Sequence, residues 1–64
     1  MNEDCKRILR IMIDLLNAVN ALEAVKEAIG VPQNDVEKAI LARIVDLEKF
    51  LKVLEQELDA CLKT

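Results

Sequence analysis

Ile29-Gly30-Val31-Pro32-Gln33-Asn34-Asp35 is the stretch that decides the fold of this chain. Gly30 is the only glycine and Pro32 the only proline in the sequence. Many helices end on a glycine with positive φ, and a proline shortly afterwards cannot continue the helix. Gly30 is therefore expected as a left-handed C′ residue, followed by Val31 as an apolar C″. Asn34 then reads as the N-cap of a second helix, with Glu37 three residues on as the acid of a capping box; Asp35 is the competing cap. The stretch predicts a loop over 30–34 between a first helix at about 3–29 and a second at about 35–63.

Working back from the loop, Ile8, Ile11, Leu15, Ala18, Leu22, Val25 and Ile29 recur at alternating steps of three and four, which is a heptad seam. A second row, Cys5, Leu9, Met12, Leu16 and Val19, lies beside it, so the apolar arc covers about half the circumference. Asn2 is placed to cap this helix, with Glu3 and Asp4 in the first turn, where the helix dipole favours acids. Forward of the loop the seam returns as Ile40, Ile44, Leu47, Leu51, Leu54, Leu58 and Cys61, with Val36 and Phe50 at its edges. A loop this short makes the helices antiparallel, so residues whose numbers sum to about 66 share a level, and each helix is about 40 Å long. The fold class expected is all-α: one helical hairpin in a single domain over residues 1–64.

Apolar residues also lie outside the seam: Leu9, Ile13 and Leu16 on the first helix, and Leu41, Val45 and Val53 on the second. A lone hairpin leaves most of these wet, and several at helical spacing on so small a chain predict an association surface. The partner expected is a second copy, a dimer first of all, closing a four-helix bundle; an amphipathic helix of another protein is the alternative. Chains of 64 residues rarely gain enough stability from one core, so reinforcement by assembly fits the length.

Composition excludes several classes of function. Hydrophobic residues form 53% of the chain and aromatics 2%, a balance that suits long helices and opposes both disorder and sheet. The net charge of −3 removes the usual attraction to nucleic acid and to anionic lipid, so neither is an expected partner. Asp14, Asn17, Asn20 and Glu23 interrupt the first helix too often for it to cross a membrane. The acidic Met1-Asn2-Glu3-Asp4 start differs from a secretory n-region, which points to the cytosol.

Histidine is absent, which removes His-dependent nucleophilic triads and the Glu-x-x-His sites of di-iron bundles. Glu55, Glu57 and Asp59 crowd the end of the second helix, but two helices offer no cleft to tune them, and a solvated face, helped by partners at helical spacing such as Lys52 and Glu48, is expected. No catalytic residue, metal site or cofactor is therefore expected. Cys5 and Cys61 share a level near the open end of the hairpin, where a disulfide is geometrically open to them. In a chain assigned to the cytosol, two buried free thiols are the expected state. Lys6, Arg7 and Arg10 cluster early in the first helix, which is the feature an RNA-binding bundle would use; a solvated face, with Arg10 paired to Asp14, is the simpler expectation. Lys26 and Arg43 fall at the margins of the apolar arcs, where they either snorkel, the favoured reading, or pair across an interface, and Asn17 and Asn20 belong to the polar side or its margin.

In outline the chain resembles the Rop class of hairpin, which dimerises into a four-helix bundle and binds RNA. Leu47-Glu48-Lys49-Phe50-Leu51-Lys52-Val53-Leu54, with the Pro-containing turn, is also similar to the small hairpin co-chaperones of type III secretion systems. That likeness implies binding to a partner helix. A designed helical bundle would carry the same pattern. The functional expectation is a non-catalytic assembly or protein-interaction module that self-associates through its apolar seams.

Overall fold

In a computed structural model describing residues 1–63, the chain forms two helices, α1 (Glu3–Ile29) and α2 (Asp35–Leu62), packed against each other as a hairpin. Asn2 caps α1 from extended backbone, its Oδ1 accepting from the Cys5 N–H at 2.8 Å. Asn34 caps α2 in the same way, accepting from the Glu37 N–H at 2.9 Å, so Asp35 is not the cap but the first helical residue. The Glu37 carboxylate reaches back to the N–H of Gln33 at 3.4 Å, one residue before the position a standard capping box would engage.

Gly30 ends α1 with φ 61 and ψ −117, its N–H donating to the Lys26 carbonyl at 2.9 Å. The positive φ is as expected of a terminating glycine, but the ψ lies far from the left-handed helical value. Chain direction therefore diverges from the expected left-handed stop. Val31, expected to fold back on the helix as an apolar C″, is instead 76% exposed. Nothing lies within 4 Å of where a Cβ on Gly30 would sit, so its need for glycine is one of backbone conformation and not of space.

The hairpin is a rod of 47 × 15 × 13 Å. Among the described residues the buried ones are Cys5, Val19, Ile44, Leu51 and Leu54, and none is polar or charged. Met12, Leu15 and Leu22 on α1 and Leu47 and Leu58 on α2 are half-buried along the same line. On α1 the inward line thus runs Cys5, Ile8, Met12, Leu15, Val19, Leu22, Lys26, Ile29, again in steps of three and four.

That line corrects the seam expected from the sequence. Ile8, Leu15, Leu22 and Ile29 are half-buried, but Ile11, Ala18 and Val25 are exposed, and Cys5, Met12, Val19 and Lys26 occupy the positions that alternate with the first four. The inward face of α1 is rotated by about 50° from the expected one, given about 100° per residue. On α2, Ile44, Leu51 and Leu54 are buried and Leu47, Leu58 and Cys61 half-buried, whereas Ile40, at the level of Lys26 near the loop, is 38% exposed.

Two outcomes are expected. Leu51→Asp puts an unpaired carboxylate in the middle of the interhelical contact and should cost about 3 kcal/mol or more, read as loss of the helical circular-dichroism signal. Gly30→Ala should lower stability by about 1 to 3 kcal/mol through its positive φ; an unchanged urea midpoint would show that the turn accepts a side chain.

Candidate functional site

Three features of the hairpin have chemical or binding potential: the cysteine pair at its open end, an ion-paired flank, and an apolar flank. At the open end, Cys5 and Cys61 are joined in a disulfide, their Cα atoms 5.7 Å apart. This is the bonded alternative in place of the expected free thiols. The physical reason is the α1 rotation, which turns Cys5 inward, 2% exposed, to meet a residue at its own level.

One flank is fixed by Lys26. Its Nζ lies 3.4 Å from Glu48 across the hairpin and 3.7 Å from Glu23 on its own helix. Of the two readings open to Lys26, snorkelling and pairing across an interface, the structure has the pairing. The three side chains remain about a third or more exposed, so the network contributes within the roughly 0 to 1 kcal/mol of surface pairs. Its larger consequence is geometric: positions 23 and 48 share one side of the rod. Helical spacing then puts Leu9 and Leu16 on that side of α1, beside Ile13, and Leu41 on that side of α2, beside Val45. Leu9 and Leu41, two of the residues expected for association, are half-buried here, while Ile13, Leu16 and Val45 are exposed.

The opposite flank carries Ile11, Ala18 and Val25 from α1, and Val36, Arg43, Phe50 and Glu57 from α2, with Ile40 and Val53 bordering it. Ile11 is 47% and Phe50 50% exposed. Of the residues expected on the association surface, only Val53 lies toward this side. Sequence reading missed the flank because it had assigned Ile11, Ala18 and Val25 to the interior. The signal that would have found it is Cys5: sharing a level with Cys61, it sets the phase Cys5, Met12, Val19 and so leaves the Ile11 row outside.

The remaining charged groups are simply disposed. Lys6 lies 3.6 Å from Glu3 and Lys63 2.9 Å from Asp59. Arg10 and Asp14 do not pair, in keeping with the weaker coupling when the base precedes the acid at this spacing. Glu48 is engaged by Lys26 and not by Lys52. Lys6, Leu9, Arg10 and Ile13 line a shallow surface depression. Among the described residues no group of three or more His, Cys, Asp or Glu side chains is placed to hold a metal ion, and no helix is long and apolar enough to cross a membrane.

No family model, no curated protein and no solved structure matches this chain. What the site can do is therefore argued from its own geometry.

The disulfide closes a loop spanning 56 residues of sequence separation, for which chain entropy gives a stabilisation of about 4 kcal/mol. Cys5→Ala with Cys61→Ala, or full reduction, is expected to lower the urea midpoint by a corresponding amount. An unchanged midpoint would mean that the closure contributes nothing.

Proposed function

We propose that this chain is a non-catalytic helical assembly module that self-associates, two hairpins forming a four-helix bundle. One observation carries the reading. The hairpin exposes 4868 Å², whereas a compact monomer of its mass is expected to expose about 4,100 Å². The excess, about 750 Å², is close to the roughly 800 Å² that each partner contributes to a standard protein interface. Much of what is exposed is apolar: Ile11, Ile13, Leu16, Val45, Phe50 and Val53 are each more than 40% accessible. At about 25 cal/mol per Å², covering several such side chains at once is a substantial driving force for association.

Self-association also answers the problem of size. The five buried residues among those described form a thin core for a chain of this length, and binding that requires the folded state adds stability by mass action. The second occupant to weigh is an amphipathic helix of a different protein laid along the same apolar surface, as in helix-in-groove recognition. An RNA-binding reading has less support, because Lys6 is already paired with Glu3 and no aromatic side chain stands beside Arg7 and Arg10 for bases to stack on.

Light scattering coupled to size-exclusion chromatography checks the proposal. The expected result is a species of twice the 7.2 kDa chain mass that dissociates on dilution. A stable monomer at high concentration would remove the self-association reading and leave the partner helix.

A further inference from the structure

We infer that the flank carrying Ile11, Ala18, Val25, Arg43, Phe50 and Glu57 is the surface on which a second copy docks, related by a two-fold axis that passes by Ala18 and Phe50 and crosses the helices. The inference rests on the self-association proposed above and adds which face is used, and in what register.

The argument starts from symmetry. When two copies meet face to face about such an axis, each helix lies antiparallel on its own counterpart, and residues equidistant from the centre meet in pairs. On α1 the flank reads Ile11, Ala18, Val25, at intervals of seven residues. About a centre at Ala18, Ile11 meets Val25 of the second copy at both ends, apolar on apolar, with two alanines between. On α2 it reads Arg43, Phe50, Glu57 at the same interval. About a centre at Phe50, the two rings meet, and Arg43 of each copy faces Glu57 of the other. The row is thus self-complementary in charge: the arrangement makes two opposite-charge contacts and no like-charge one.

Both centres must fall on one axis, and they do. The Cys5–Cys61 bond sets the register of the two helices, and by that register Ala18 lies within two residues of the level of Phe50, about 3 Å along the rod. The small side chain of one helix is thereby beside the only aromatic of the chain, which is the large-and-small alternation that close helix packing favours. Neither Arg43 nor Glu57 has an ion-pair partner within the hairpin among the described residues. The opposite flank is less suited, because its closed half is occupied by the Glu23, Lys26 and Glu48 network.

Charge reversal of the full-length chain provides the test, with mass measured by light scattering and helicity by circular dichroism. Arg43→Glu alone places acids against Glu57, and Glu57→Arg alone places bases against Arg43. Each is expected to weaken homodimerisation by about tenfold or more at low salt. An equimolar mixture of the two variants restores both opposite-charge contacts and is expected to recover the wild-type dimer. A second pair of variants guards against indirect effects: Phe50→Lys, on the axis, is expected to give helical monomers, while Ile13→Lys, on the other flank, leaves the mass unchanged. Wild-type association with no preference for the mixed dimer, or dissociation by Ile13→Lys and not by Phe50→Lys, would overturn the face assignment while leaving self-association intact. A monomeric wild-type chain would remove both.

Discussion

Two helices side by side can hide only the facing strip of each, and every notable feature of this molecule follows from that limit. The rod is about one helix diameter thick in its narrowest direction, 13 Å, so a residue even one position off the inward line is wetted. Five of the described residues are buried as a result. Yet about half the circumference of α1 is apolar in sequence. The mismatch between what is greasy and what the hairpin can cover links the fold to the proposed role in assembly.

The two ends of the rod are held differently. At the closed end the chain is stopped by Gly30 and restarted by Asn34, whose side chain accepts from the Glu37 N–H, one of those that the start of a helix leaves without partners, while the Glu37 carboxylate accepts from Gln33 in the loop. At the open end the covalent bond between Cys5 and Cys61 does the equivalent work across the pair. Between them, Lys26 replaces an apolar residue on the inward line, close enough to the loop for its ammonium to reach Glu23 and Glu48 while its stem lies along the contact. One flank is therefore partly charged and internally satisfied. The other remains apolar, with Arg43 and Glu57 spaced evenly about Phe50.

Such a division gives the hairpin a sidedness that its composition does not reveal. Both flanks carry exposed aliphatic side chains, but they differ in what those side chains neighbour. On one side Leu9 and Leu41 lie close enough to the interhelical contact to be half-buried by it, while Ile13, Leu16 and Val45 are exposed. On the Ile11 and Phe50 side the apolar groups stand out from it, which is the geometry suited to receiving another helix.

The number of helices, their ends, their antiparallel sense and the shared level of the two cysteines were legible in the sequence, because each is written in local signals: Gly30 and Pro32, the Asn2 and Asn34 caps, heptad spacing and a short loop. What only the tertiary structure decided was the rotation of α1 about its own axis. Ile8, Leu15, Leu22 and Ile29 belong equally to a seam completed by Ile11, Ala18 and Val25 and to one completed by Cys5, Met12, Val19 and Lys26. The second row carries Lys26 where the first carries Val25, so it is the less apolar of the two. The choice is made by contacts with α2, where a disulfide partner and an acid await Cys5 and Lys26, and such long-range pairings leave no mark on the periodicity of a single helix.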